Sequence, residues 1–217
     1  MSRVAKTKAV VFDLDGTLVD SLPLVLRAIA HAIGPFGPAP TMDIFSHLGG
    51  PPERFLHSLV SDARHVPAAV QRLAAYHNEN AHLLQLFEGA QTMLGQLRGE
   101  GVALGIWTGR DRTSTIPLLR AHGLADLFEV VMCGDDLSTH KPDPEGLREI
   151  LRRLALPADE AIFVGDADVD VLGGVACGVD TVLIRHARAV PAEIQAKAWC
   201  AVTSTGEAYD VVLGCVK

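Results

Sequence analysis

VVFDLDGTLVDS, residues 10 to 21, is the stretch that decides how this chain folds. Val10, Val11 and Phe12 have strand preference and run into Asp13 and Asp15 before Gly16-Thr17 breaks the pattern. The two acids therefore sit at a strand's end, which in open parallel sheets faces the crevice where ligands bind. Side chains at i and i+2 share a face, so Asp13 and Asp15 project together unless the chain turns between them. Two carboxylates about 4 Å apart at an effective dielectric of ~20 repel by about 4 kcal/mol. A hard cation or a proton must relieve that repulsion. Asp-Gly is also a common turn dipeptide, so the rest of the chain has to decide between a turn and a site.

The composition bounds the answer. At 217 residues the chain holds one large domain, or a core with an insertion, and buries a sizeable interior either way. Charged residues at 21% and apolar ones at 48% describe an ordinary soluble protein. A net charge of −7, with scattered Lys and Arg, argues against nucleic acid as a partner. A small anionic substrate is compatible with it, because a local cation reverses the field of an acidic surface. Cys133, Cys177, Cys200 and Cys215 lack paired ligand spacing and read as reduced thiols, with no zinc site. Few apolar residues separate Arg3, Lys6 and Lys8 from Asp13, so neither a signal-peptide core nor a membrane span is expected. The expected protein is cytoplasmic, a monomer or weak homodimer.

After the first strand, Asp20 and Ser21 can cap a helix over LPLVLRAIAHAI, which stops at Gly34-Pro35. Pro51 and Pro52 can then open a second helix, ERFLHSLVS, and a long helical stretch is expected from about Val66 to Leu86. Nothing from residue 22 to 87 reads as a strand. From Glu88 the pattern changes to strands alternating with helices: VALGIW reaching Thr108, EVVMC, AIFVG, TVLI and a weaker WCAV. Pro117 suits only a first turn, which predicts a helix start near Ser114 or Thr115. Repeated strand-helix units imply a doubly wound parallel α/β sheet, Rossmann-like, with right-handed crossovers. The expected boundaries are a core of residues 1–17 and 88–217 with a helical insertion at 18–87.

Four polar clusters fall at or just beyond strand ends, at 13 to 17, 108 to 110, 141 and 166 to 170. They share one crevice. Asp13, Asp15, Asp166 and Asp170 gather negative charge there, against Lys141 and Arg110. Magnesium is held by few carboxylates plus waters and phosphate oxygens, so the pattern predicts a Mg²⁺ phosphoryl-transfer site. One carboxylate can attack phosphorus while a second serves as general acid and base. Thr108, the Gly109 amide and Lys141 would stabilise the transferring group. Taken singly, Thr108 is an ordinary strand-end hydroxyl and Lys141 a surface lysine. Lys141 is, however, the sole lysine between Lys8 and Lys197, and the following proline presents it extended from the loop. Asp111, Asp135, Asp136 and Asp168 read as solvent-facing or first-turn residues. Trp107 reads as core packing and the histidines as solvated faces.

DLDGT, Thr108 in WTGRD, Lys141 in KPDP and GDADVD appear in the order of the four motifs of the haloacid dehalogenase-like (HAD) hydrolases, which this chain resembles over nearly its whole length. The resemblance implies Asp13 as nucleophile and Asp15 as acid/base. It implies Mg²⁺ on Asp13, Asp166 and the backbone carbonyl of Asp15, with Asp170 supporting Lys141 or a metal-bound water. The insertion is similar to the cap of the phosphoglycolate phosphatase and β-phosphoglucomutase branch, which closes over the site and chooses the substrate; here Glu53 and Arg54 are its candidate contacts. WTGRD departs from the more usual Asn or Ser-Asn after this Thr. Asp15 argues against dehalogenation, and a cap without lysine argues against a Schiff-base phosphonatase. A phosphatase acting on a small phosphorylated metabolite is the expected function. A hexose-phosphate mutase is the runner-up, and a non-catalytic phosphate-binding module comes from another class.

Overall fold

The computed structural model describes residues 6–37 and 55–216. In chain order the strands are β1 (Ala9–Phe12), β2 (Val19–Asp20), β3 (Gln85–Leu86), β4 (Ala103–Trp107), β5 (Val130–Met132), β6 (Ala161–Gly165), β7 (Asp180–Ile184) and β8 (Cys200–Val202). The α-helices are α1 (Leu22–Ile33), α2 (Val66–Asn80), α3 (Ala90–Gly99), α4 (Arg112–Ala121), α5 (Glu145–Leu154), α6 (Asp168–Cys177), α7 (Ala192–Lys197) and α8 (Thr205–Gly214). The chain divides into two compact units, Met1–Asp20 with Leu86–Lys217, and Ser21–Gln85.

The larger unit is built on a six-stranded sheet in the order β5-β4-β1-β6-β7-β8, with every pairing parallel. All four residues of β1 are buried, as a strand covered on both faces requires. Helices α5 and α6 pack on one face, where Val11, Trp107, Met132, Leu147, Ile150 and Phe163 share a core. The chain runs outward from β1 through β4 to β5, then returns to β1's other side for β6 and β7. That reversal makes the C-terminal end of β1 a topological switch point. Phe12 pairs in register with Ile106 on β4 and Val164 on β6, so the residues that follow these three strands emerge side by side.

In the smaller unit, α1 buries Leu24, Ala28, Ile29, Ala32 and Ile33, the stripe expected of an amphipathic helix. Ile29, Ala32 and Ile33 form a core with Leu56, Val60, Val66 and Ala69, the last two from α2.

Four local expectations change. Ser21 occupies the cap position of α1, but its side chain makes no capping bond; its carbonyl accepts from Val25 N instead. Of the helix expected from Glu53, the described part keeps only Phe55 and Leu56 helical before a turn closed by Ser58 Oγ on the Phe55 carbonyl. The helix expected up to Leu86 stops at Asn80, and Gln85–Leu86 is extended as β3. Finally, α4 starts at Arg112 rather than near Ser114, because the Asp111 carboxylate accepts from Ser114 N at 2.9 Å and caps the helix two residues earlier. Pro117 lies inside the helix, and the loss of its one backbone donor is tolerated.

Candidate active site

Asp13 continues β1 by one residue, its amide donating to Val164 O at 2.8 Å, so its carboxylate is delivered to the switch point by the sheet itself. The turn that follows depends on Gly16. Its φ of +78° is a left-handed conformation that side chains disfavour, and a Cβ there would stand 2.3 Å from Asp166 Oδ2. Glycine thus lets motif-one backbone and the Asp166 carboxylate approach each other. Two residues from the far end of the unit hold this turn: His186 Nε2 donates to Gly16 O and Tyr209 OH donates to Thr17 O, each at 2.7 Å.

Lys141 reaches this point from the loop before α5 through a cis Lys141–Pro142 peptide. Its Nζ donates to Asp13 Oδ1 and Asp170 Oδ1, both at 2.7 Å, and its side chain is only 8% exposed. Asp170 is fixed in turn, because its Oδ2 accepts from Ala167 N at 2.9 Å. Burial opposes charge on Lys141, yet Asp13 and Asp170 outweigh it and raise its pKa.

Carboxylate oxygens of Asp13, Asp166 and Asp170 all lie within 4.8 Å of one another. Burial is the largest influence on Asp13 and raises its pKa to about 7, with Asp170 and Asp15 adding to the rise and Lys141 opposing it. Burial first, then Asp13 and Asp170, raise Asp166 well above the usual carboxylate range. The lysine pair alone would lower Asp13. The rise prevails because burial, with the neighbouring carboxylates adding to it, outweighs the one ammonium.

Asp15 points elsewhere. Arg110 grips it with both prongs, Nε to Oδ2 at 3.0 Å and Nη2 to Oδ1, and the arginine is itself nearly buried. Arg110 is held along its backbone too, its amide donating to Thr108 Oγ1 at 3.1 Å and its carbonyl accepting from Gly134 N at 2.8 Å. Burial works against the guanidinium charge, and Asp15 more than compensates. Thr108 is 3% exposed and keeps its own hydroxyl proton to donate. Gly109 follows it, packed so closely on Gly134 that a Cβ at 134 would meet Gly109 O.

The larger unit therefore brings Asp13, Lys141, Asp166 and Asp170 together, and joins Asp15 to Arg110 beside Thr108 and Gly109. Glu53 and Arg54 lie outside the described residues. Sequence reasoning missed Arg188, which donates to Asp166 O at 2.8 Å and to Asp168 Oδ1 at 2.6 Å, so Asp168 is ion-paired rather than simply solvated. The only signal was RHAR directly after a strand ending at the same edge. Asp136, read as bland, likewise pairs with Arg112.

Raised carboxyl pKa values have a consequence for stability. Asp13 and Asp166 hold protons more tightly in the folded chain than in the unfolded one, where aspartate titrates near 3.8. Their contribution to stability is complete below about pH 4 and is lost as pH rises through their folded-state values, about 7 for Asp13 and well above the ordinary carboxylate range for Asp166. Asp166→Asn is therefore expected to stabilise the metal-free protein at pH 8 by about 1–3 kcal/mol, or roughly 3–10 °C in thermal midpoint. At pH 4 the same substitution should change little. Melting curves at both pH values check this, and a variant less stable than the native chain at pH 8 would contradict it.

A family model for haloacid dehalogenase-like hydrolases matches residues 10–184. A phosphoglycolate phosphatase (plasmid form) of Cupriavidus necator is 33% identical over 191 residues, covering 84% of this chain and 83% of that protein. Pyrophosphatase PpaX of Halalkalibacterium halodurans is 29% identical over 187 residues, 82% of this chain and 83% of its own. Among solved structures, a haloacid dehalogenase-like hydrolase from Streptococcus pneumoniae superposes with a TM-score of 0.81 at 22% identity, over 95% of this chain and 98% of that one. The mutual placement of motif residues on the sheet and these matches agree, and the chain belongs to the haloacid dehalogenase-like hydrolases as a phosphatase of that family.

Proposed function

We propose that this phosphatase hydrolyses a small phosphorylated metabolite, of phosphoglycolate or sugar-phosphate type, through a phosphoryl group carried on Asp13. The observation that supports this most is the Lys141 ammonium bonded to both Asp13 and Asp170 at the switch point, with Asp166 beside them. A cation that relieves the crowded carboxylates fits the donor set, which is all hard oxygen. Lys141 and Ala167 N already occupy Asp170. Asp13 and Asp166, with the backbone carbonyl of Asp15 that the family resemblance implies, are the ligands we assign to Mg²⁺. When bound, the ion neutralises carboxylate and phosphoryl charge.

In the first step an Asp13 oxygen attacks phosphorus and the ester P–O bond breaks, with Asp15 giving its proton to the departing oxygen. In the second, Asp15 takes a proton from water, which attacks phosphorus and breaks the bond to Asp13. Lys141, Thr108 and the Gly109 amide hold the equatorial oxygens. Asp170 keeps Lys141 aimed. Arg110, an expected substrate contact, we assign first to orienting Asp15, since that carboxylate occupies its guanidinium.

We assign substrate choice to the inserted unit, expected at residues 18–87, and within it to Glu53 and Arg54. We read the chain as a cytoplasmic monomer or weak homodimer without nucleic-acid or membrane partners; among the described residues no helix is long and apolar enough to cross a membrane. Phosphate release from a panel of 2-phosphoglycolate, hexose phosphates, pyrophosphate and p-nitrophenyl phosphate tests the reading. Release should need Mg²⁺ and stop with EDTA. A folded protein that releases phosphate from none of them would overturn it.

A further inference from the structure

Beyond the motif residues, Lys141 is bordered by two aromatic rings. Its Nζ lies 5.0 Å from the centroid of Trp107 and 5.2 Å from that of Phe163, and the two rings pack on each other at 5.2 Å. Trp107 is the last residue of β4, with Thr108 following it. Successive side chains take opposite faces, so the hydroxyl and the indole serve the same crevice from different sides.

The slot that holds the indole is made by glycines on two helices. A Cβ at Gly146 in α5 would stand 2.2 Å from Trp107 Nε1, and one at Gly173 in α6 would stand 2.7 Å from its Cη2. Glycine weakens a helix relative to alanine, and both helices carry it where the indole passes. The loop that supplies Lys141 is exposed at Ser138, Thr139, His140, Pro142 and Asp143. Little else in that loop is buried with the ammonium. Its two hydrogen-bonded carboxylates fix one side of it, and the ring faces border another, where a cation is attracted to the π density.

Resting on the phosphatase reading above, we infer that Trp107 is a positioning residue, whose indole face holds the Lys141 ammonium against Asp13 and the transferring phosphoryl group. A ring that merely fills the core would tolerate any apolar residue of similar bulk. A ring that acts through its π density would not.

Graded fluorination of the indole tests this. The chain has two tryptophans, so a Trp199→Phe background confines fluorotryptophan to position 107. Fluorine withdraws π density while barely changing ring size. Successive fluorination should lower kcat/KM for p-nitrophenyl phosphate stepwise, to a total of about tenfold, with the thermal midpoint unchanged. Trp107→Phe should keep most activity and Trp107→Leu should fall about tenfold. An active enzyme indifferent to fluorination overturns the inference.

A second measurement does not depend on activity. With five lysines in the chain, the ε-methylene protons of Lys141 are assignable by NMR, and ring currents should shift them upfield of the other four. Trp107→Leu should reduce that shift, leaving the part due to the Phe163 ring. Its absence in the native protein overturns the inference directly, whereas a shifted Lys141 in a chain without phosphatase activity counts against the proposed reaction instead.

Discussion

Asp13→Asn is expected to abolish hydrolysis of every phosphate ester in a protein that still folds. An amide oxygen is a poor nucleophile, and no described neighbour can replace it: Asp166 and Asp170 are placed as charge partners, and Asp15 is held by Arg110. Folding should survive because Lys141 keeps Asp170 as a counter-ion and the crowded carboxylates lose one charge. The loss should extend to alkyl and aryl phosphates alike, since both transfer their phosphoryl group to the same Asp13 oxygen. Phosphate release, with circular dichroism as the folding control, measures it. Activity within about a thousandfold of the native rate, in Asp13→Asn and Asp13→Ala alike, would assign the attack to another group or to water.

How far the sequence could be read depends on the range of the interactions. Strand ends were legible because β-branched runs stop at polar residues, and parallel register then forces Asp13, Thr108 and Asp166 to one edge. Lys141 was legible by its rarity and the proline beside it. What escaped were contacts made by long side chains across the chain. Arg110 and Asp15 are 95 positions apart, and nothing local to either says that a guanidinium will reach back. Arg188 and Trp107 escaped for the same reason, one through a carbonyl and a carboxylate, the other through the face of a ring. The start of α4 was misplaced because a proline was weighed above the Asp111 cap that precedes it. The two-residue β3 is too short for any periodicity to announce.

Asp15→Asn should behave quite differently from Asp13→Asn, although the two acids look alike in the sequence. With an alkyl phosphate the departing oxygen needs a proton, so losing the acid should cost on the order of 10²- to 10⁴-fold. A nitrophenolate leaves readily without one, so formation of phosphoenzyme on Asp13 should be spared more with p-nitrophenyl phosphate. The second step still needs Asp15 as the base that takes a proton from water. The variant should therefore stall after its first turnover, giving a burst of nitrophenol close to one per enzyme and then slow release of phosphate. Arg110 complicates the substitution, because an asparagine removes the carboxylate that its nearly buried guanidinium grips with both prongs. Some loss of stability is expected, and the melting temperature sets the condition under which rates are compared. If the folded variant slows alkyl and nitrophenyl phosphates equally and gives no burst, Asp15 does not move the protons, and its carboxylate acts only through the pair with Arg110.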